Sequence, residues 1–196
     1  VDFDYDSTAG TVTFQAFYSG VGKPPFYLVV DEARWQHPLS FELKTPARLK
    51  TTGNGAEYVI ITHSDFREAA ERLAEWRAVD DRFGPPLSTK VVDVEDIYDE
   101  FAGGLLDPMP IHSFVTHPEA NWDPAPVFIL LMGDGTYDYK NNLGISHANW
   151  IPPFQDGSSM YDEWYVRTDG NDRLPDLAIG RLPVSSASKA NSLVDK

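Results

Sequence analysis

Alternating apolar and polar positions dominate the start of the chain. Residues 11–18, Thr-Val-Thr-Phe-Gln-Ala-Phe-Tyr, alternate with the period of a half-buried strand, and Ala9-Gly10 just before them is a turn signal. Residues 26–30 form an apolar run after the breaker Gly-Lys-Pro-Pro, and residues 39–43 alternate again. The pattern predicts a β-rich segment over residues 1–52, which is either the end of a preceding β-domain or a set of strands that covers the next one.

Beyond a Thr-Thr-Gly-Asn-Gly linker at residues 51–55, strands and helices alternate. Short continuous apolar runs are typical of strands buried on both faces, and apolar residues at helical spacing are typical of amphipathic helices. The predicted elements are strands at 58–62, 89–94, 127–132 and 177–180, helices at 64–77, 95–101 and 107–114, and a last helix that begins at Ser185 or Ser186. This order predicts an α/β fold over residues 55–196, a Rossmann-like, doubly wound and mainly parallel sheet preceded by the β-rich segment.

The first predicted helix carries two local signals. Ser64 is placed to cap its amino end, and Glu68 and Arg72 lie one turn apart on the outer face in the favourable order. The Gly-Pro-Pro sequence at residues 84–86 is expected to end this helical stretch.

Composition excludes several classes of function. The net charge of −14 disfavours contact with phosphate backbones, so no nucleic acid is expected as a partner. The chain contains no cysteine, which excludes disulfides, a thiol nucleophile and Cys-ligated zinc within these residues. No apolar run has the length of a membrane span, and no signal peptide is recognisable at the start. Both ends have the appearance of a cut from a longer chain, so we expect a fragment.

Two acidic loops carry the candidate chemistry. The strand at 127–132 leads into Gly-Asp-Gly-Thr-Tyr-Asp at residues 133–138, where two glycines present Asp134 at the end of the sheet. Residues 169–176, Asp-Gly-Asn-Asp-Arg-Leu-Pro-Asp, offer three more carboxylates and an amide. Together these oxygens would suit calcium, which takes six to eight oxygen ligands, although the spacing is not that of an EF-hand. The alternative is a polar turn of the kind that is common between strands.

Three linked motifs give the chain a resemblance to a known family. They are Gly-Ala-Glu-Tyr-Val-Ile-Ile-Thr-His at 55–63, Leu-Leu-Met-Gly-Asp-Gly-Thr-Tyr-Asp at 130–138, and Leu-Pro-Asp-Leu-Ala-Ile-Gly-Arg-Leu-Pro-Val at 174–184, with 92–101 between them in the right order. Over residues 55–196 the chain resembles the gingipain family of cysteine peptidases. The front β-rich region resembles the segment that precedes this domain in bacterial members.

The resemblance implies a division of labour within a longer protein. Residues 55–196 would be the first α/β subdomain, and the catalytic His and Cys would belong to a second, caspase-like subdomain beyond Lys196. No catalytic or cofactor-binding residue is therefore expected here. The chain would support that downstream subdomain of the same polypeptide, and the parent would be secreted or at the cell surface and would cleave protein or peptide substrates. The chain alone is expected to be inactive.

The resemblance also implies a structural Ca²⁺ ion. Its ligands would be Asp134, Asp169, Asp172, the carbonyl of Leu174, and Asp176. The chain departs from the family pattern at residues 109–117, where Pro110, His112 and His117 interrupt the expected helix. We expect the helix there to be short or distorted.

Other candidates have simpler interpretations. His112 and His117 are five residues apart, which is wrong for a zinc helix, and the five histidines are expected to be ordinary hydrogen-bonded or surface residues. The aromatic residues of the loop after the third strand are expected to pack that loop onto the domain rather than to form a recognition surface. They are Trp150, Phe154, Tyr161, Trp164 and Tyr165. Arg181 is expected to pair with nearby carboxylates in a structural role.

Two rival functions stay open at this point. One is a calcium-stabilised, non-catalytic scaffold or adhesion module of a larger extracellular protein. The other is an unrelated hydrolytic domain that uses His63, which would have to be active in this chain alone.

Overall fold

The computed structural model describes residues 3–15, 20, 27, 30, 43–82, 84–144, 148–170 and 172–196. It divides the chain into two compact units, Val1–Lys44 and Thr45–Lys196. Residues 51–55, which the sequence marks as a linker, lie inside the second unit, where the side-chain amide of Asn54 donates to the carbonyls of Arg48 and Thr51. That residues 1–52 and 55–196 are separate parts of a larger protein stays a prediction.

The first unit contains an antiparallel hairpin. Strand β1 spans Phe3–Asp6 and strand β2 spans Thr11–Phe14, with Phe3 opposite Phe14. Gly10 has a φ of +64°, which glycine adopts without strain, and completes the turn between them. The predicted turn and the start of the first predicted strand are therefore confirmed. The predicted strands at 26–30 and 39–43 lie mostly outside the described residues.

The second unit is an α/β structure. Its strands are β3 Tyr58–Thr62, β4 Thr89–Asp93, β5 Phe128–Met132, β6 Phe154–Asp156, β7 Ser159–Tyr161 and β8 Ala178–Leu182. Its helices are α1 Arg67–Arg77, α2 Val94–Ala102, α3 Pro108–Asn121 and α4 Ala187–Val194, with 3₁₀ turns at Ser64–Phe66 and Glu163–Val166. Strands β6 and β7 form a short antiparallel hairpin within the long loop between β5 and β8.

Four of these strands form a parallel sheet in the order β4-β3-β5-β8. Tyr58, Phe128 and Ala178 begin their strands side by side, so the three strands run in register. The predicted α/β class with a parallel sheet is confirmed. Among the described residues, no helix has the length and apolar character needed to cross a membrane.

The sheet buries both faces, as its continuous apolar strands predict. Successive residues of a strand point to opposite faces, so Val59 and Ile61 enter one core and Tyr58 and Ile60 the other. The first core is completed by α2, α3 and the Glu163–Val166 turn. The second core lies under α1 and α4. Helices therefore cover the sheet on both sides.

Helix α3 is longer than the sequence predicts, which allowed for a short or distorted helix. It runs without a break over 14 residues. Pro108 occupies the first helical turn and Pro110 follows in that turn, where backbone N–H groups have no intrahelical acceptor and none is lost. Asp107 caps the helix by accepting a hydrogen bond from the N–H of Met109 at 2.9 Å. Tertiary burial of its apolar side chains then outweighs the weak local signal.

The helix caps were predicted with mixed success. Ser64 does not cap α1, since His63 caps the preceding 3₁₀ turn by accepting from the N–H of Asp65, and α1 has no side-chain cap. Ser186 does cap α4, where its hydroxyl accepts from the N–H of Lys189 at 3.3 Å.

The predicted ion pair of α1 between Glu68 and Arg72 is present, and Arg72 also pairs with a second carboxylate. Arg72 lies 4.0 Å from Glu68 and 2.9 Å from Asp195, just after α4. Because these side chains are exposed, the pairs contribute little to stability.

Candidate functional site at the carboxyl edge of the sheet

The carboxyl ends of the parallel strands meet at one edge, where open α/β sheets bind their ligands. The chain leaves β5 at Met132 and stays beside β8 for two more residues. The N–H of Gly133 donates to the carbonyl of Leu182 at 3.0 Å, and the N–H of Asp134 donates to the carbonyl of Val184 at 2.8 Å. Asp134 therefore lies at this edge, as the sequence predicts.

Two glycines let the returning loop lie directly against the turn after β5. The carbonyl of Asp134 accepts hydrogen bonds from the N–H groups of Trp150 and Ile151 at 3.0 and 3.2 Å. A Cβ atom on Gly135 would lie 2.0 Å from the carbonyl oxygen of Ile151, which is far inside van der Waals contact. Position 135 is thus restricted to glycine by close backbone approach.

Arg181 connects the segments that meet at this edge. Its guanidinium donates two hydrogen bonds to the carboxylate of Asp162, both at 2.7 Å, from Nε to Oδ2 and from Nη2 to Oδ1. Its Nη1 donates to the carbonyls of Gly133 and Ile151 at 2.7 and 2.9 Å. The side chain is only 14% exposed. One residue of β8 therefore fixes three segments, and its predicted pairing with a carboxylate is confirmed.

Two surface clefts flank Asp134. The larger, of ≈ 600 Å³, has a mixed polar and apolar lining formed by Asp134, Gly135, Thr136, Tyr137, Ala148, Trp150, Met160 and Ser185. The smaller, of ≈ 220 Å³, shares Asp134, Gly135 and Met160 and adds Pro153, Asp162 and Arg181. One wall is fixed because the indole N–H of Trp150 donates to Asp65 at 3.1 Å and its ring packs on Phe66. Ser185, also in this lining, accepts a hydrogen bond from the Nζ of Lys189 at 2.8 Å, an exposed contact in which the lysine is the donor.

The other four predicted calcium ligands lie at the opposite edge of the sheet. Residues 169–176 lead into β8, and Ala178, its first residue, pairs with Phe128 at the start of β5. Asp134 follows the far end of β5. The five residues of β5 rise by about 3.3 Å each, so the amino and carboxyl ends of the sheet are roughly 16 Å apart. Asp169, Asp172, Leu174 and Asp176 share the loop that leads into β8, and Asp134 lies apart from them, after β5.

The loop itself uses its carboxylates on backbone N–H groups. Asp176 accepts from the N–H groups of Asp169 and Thr168, and these hydrogen bonds, that from Asp169 first, lower the pKa of Asp176 below its ordinary value of 3.8. Among the described residues, no group of three or more His, Cys, Asp or Glu side chains is arranged to hold a metal ion. The residues as placed therefore do not converge on one shared ion, and the predicted structural calcium ion stays a prediction.

A comparison with protein families decides what this α/β unit is. The model of peptidase family C25 matches residues 51–196. The chain belongs to peptidase family C25. No match is found among curated protein sequences.

Solved structures support the same fold for this family C25 chain. They include dimeric latent PorU from Porphyromonas gingivalis (TM-score 0.57, 21% identity, 72% of this chain), the complex of the pro- and mature domains of RgpB from the same organism (0.53, 22%, 71%), and the Arg-specific cysteine proteinase gingipain R (0.52, 22%, 78%). The matched region is 15%, 27% and 29% of those chains respectively. The chain thus spans less than a third of each.

The aromatic residues of the long loop pack the family C25 unit, as predicted. Phe154 and Trp164 stack with ring centroids 3.7 Å apart, and His112 covers Trp164 at 4.4 Å. Tyr165 is fully buried and donates to the carbonyl of Pro152 at 2.6 Å. Tyr161 differs, since it is 38% exposed.

The histidines have the ordinary roles that were expected, where they are described. A ring nitrogen of His112 hydrogen-bonds the carbonyl of Arg167 at 3.0 Å, and His63 forms its cap. His117 lies 3.5 Å from the side-chain amide of Asn121, within the same helix. His37 and His147 lie outside the described residues.

Sequence inspection missed two contributors to the carboxyl edge. Asp162 receives the Arg181 fork, and Asp65 anchors Trp150 from 85 positions away. No local pattern marks either residue, because each acts through a contact between distant segments. One signal pointed toward Asp162: a partly buried arginine such as Arg181 needs a carboxylate partner somewhere in the chain.

Proposed function

We propose that this chain is the first, non-catalytic α/β subdomain of a secreted gingipain-like cysteine endopeptidase, and that it supports the downstream catalytic subdomain. The observation that carries the proposal is the match of family C25 to residues 51–196 of a chain that contains no cysteine. A cysteine peptidase needs a thiolate, so the nucleophile would have to come from residues that are not in this sequence.

We assign that support to the carboxyl edge of the sheet. Arg181 fixes it with four hydrogen bonds, and the turn after β5 is held by the backbone of Trp150 and Ile151. A surface with so little freedom loses little entropy when it docks against a neighbouring subdomain. Met160 and Tyr137, 55% and 43% exposed, offer apolar area there.

The coverage of the similar structures agrees with a larger parent. This chain matches no more than 29% of any of the three solved chains, one of which is named as a cysteine proteinase. Secretion or cell-surface location is proposed from the family resemblance. A calcium ion shared by Asp134 and the 169–176 loop is not part of the proposal, because those groups lie at opposite edges of the sheet.

The test uses the coding sequence that surrounds these residues. The segment after Lys196 should encode a His-Gly motif and, after a further strand, a cysteine. The extended protein should cleave casein, its Cys→Ala variant should not, and residues 1–196 alone should not.

Two outcomes would overturn the proposal. Cleavage by residues 1–196 alone would favour an unrelated hydrolase that uses His63. An extended sequence without the His and Cys, and without activity, would favour the non-catalytic scaffold or adhesion module.

A further inference from the structure

In the loop that leads into β8, arginines offset most of the negative charge of the carboxylates. Residues 167–176 contain three aspartates, but they also contain Arg167 and Arg173. The formal charge of the stretch is therefore −1, and a divalent cation is not required to offset mutual repulsion. What closes this loop can be followed from its hydrogen bonds.

One carboxylate joins the two ends of the loop. Oδ2 of Asp176 accepts from the N–H of Thr168 at 2.8 Å, from the N–H of Asp169 at 2.9 Å and from the hydroxyl of Thr168 at 3.4 Å. The N–H of Asp176 in turn donates to the carbonyl of Val166 at 2.8 Å, and Val166 is fully buried. Asp176 thus ties the start of the loop to its end and the end to the core.

The other two carboxylates are turned toward their own backbone. Oδ1 of Asp169 accepts from the N–H of Gly170 at 2.8 Å, and Oδ1 of Asp172 accepts from the N–H of Leu174 at 2.9 Å. Gly170 has a φ of +73°, which lets the chain turn back at that point. These two hydrogen bonds span one and two residues, so Asp169 and Asp172, unlike Asp176, do not join the two ends of the loop through them.

We infer that the loop at residues 167–176 is closed by the Asp176 carboxylate, in the role that a structural calcium ion would otherwise have, and that its folding does not depend on calcium. The inference goes beyond the proposed function and is independent of it, because it concerns how this unit is held together and not what it supports. Asp134, at the opposite edge of the sheet, is not available to complete an ion site here.

The test is thermal unfolding of residues 1–196 in millimolar calcium chloride and in excess EGTA. We expect one melting temperature in both solutions. Asp176→Ala should lower it by roughly 2–4 °C, equally in both, since it removes the loop's closing acceptor. Asp172→Ala is the matched control, because it also removes a carboxylate of this loop, but one whose hydrogen bond spans only two residues. It should lower the melting temperature much less.

A second measurement keeps the inference testable if Asp176→Ala does not fold. The amide protons of Thr168 and Asp169 should exchange slowly in EGTA in the unmodified chain, and faster in Asp176→Asn, whose amide is a weaker acceptor than a carboxylate. A melting temperature that rises with calcium and loses that rise in Asp172→Ala would overturn the inference. Fast exchange of both amides in EGTA that becomes slow on addition of calcium would overturn it as well.

Discussion

At the scale of single residues, Arg181 does more than the sequence indicates. It lies in β8, yet its guanidinium contacts Gly133 in the turn after β5, Ile151 shortly before β6 and Asp162 directly after β7. The guanidinium of arginine is planar and has three nitrogens that donate. Two of them can bind one carboxylate while the third donates to backbone carbonyls, which a lysine cannot do. A residue that joins three segments in this way is expected to affect stability far more than a surface ion pair.

The first prediction tests the geometry of this fork. Arg181→Lys keeps the charge but loses the bidentate contact and the carbonyl bonds, so the free energy of unfolding should fall by about 2–4 kcal/mol. Arg72→Lys, at an exposed pair with Asp195, should change it by less than about 0.5 kcal/mol. Urea unfolding of both variants measures the difference. Equal effects would mean that the contacts of Arg181 carry no special weight.

At the scale of elements, α3 depends on its first turn. Asp107 accepts from the N–H of Met109 through Oδ1 and from the hydroxyl of Tyr139 through Oδ2 at 3.2 Å. Tyr139 belongs to the long loop after β5, so one side chain both begins the helix and holds the loop. Burial of Ile111, Phe114 and Val115 then keeps the helix continuous to Asn121.

The second prediction separates the hydrogen bonds of Asp107 from its charge. Asp107→Ala should destabilise the protein by about 1–2 kcal/mol, because it removes the cap and the partner of Tyr139. Asp107→Asn should cost less than half as much, since asparagine caps helices as well as aspartate does. Denaturant unfolding compares the two variants. A loss in Asp107→Asn as large as that in Asp107→Ala would place the effect in the charge and not in the cap.

At the scale of the whole molecule, two buried phenols make stability depend on alkaline pH. Burial raises the pKa of Tyr98 and of Tyr165 well above the ordinary 10.0, and the nearby carboxylates Glu95 and Asp107 raise that of Tyr98 further. Folding therefore favours the neutral phenols. Their contribution is complete below about pH 10 and is lost as pH rises above it, because the unfolded chain releases these protons first.

The third prediction follows from a difference between the two phenols. The hydroxyl of Tyr98 has no hydrogen-bond partner in the part of the chain that the structure describes, whereas that of Tyr165 donates to Pro152. Tyr98→Phe should leave stability at neutral pH almost unchanged and reduce the loss between about pH 9 and pH 11. Tyr165→Phe should also reduce that loss, but it should cost about 1 kcal/mol at neutral pH. Urea unfolding across this pH range checks both variants, and an unchanged alkaline loss in Tyr98→Phe would contradict the assignment.

Much of the fold can be predicted from local sequence patterns. The apolar runs at 58–62 and 127–132 correspond to β3 and β5, and Ser186, one of two serines predicted to begin the last helix, caps it. Half of the site could be predicted as well, since Asp134 and Arg181 are both marked by their positions next to strands. Asp162 and Asp65 could not, because their partners are 19 and 85 residues away.

The separation of Asp134 from the other predicted calcium ligands has a different cause. Asp134 follows its strand and Asp176 precedes its strand, so in a parallel sheet they must lie at opposite edges. The alternation of strands and helices predicts parallel strands, and that direction already separates the loop after one strand from the loop before another. The acidic composition of the loops suggested proximity, and composition carries no information about position.

By itself, the sequence determined the class of the fold, the order of its elements and the family, because burial on two faces and helical spacing are properties of neighbouring residues. Only the tertiary structure decided the uninterrupted length of α3, the four hydrogen bonds of Arg181 and the edge of the sheet at which each acidic loop lies. These depend on contacts between segments that are far apart in the chain. Such contacts are set by packing and strand direction, which no local pattern encodes.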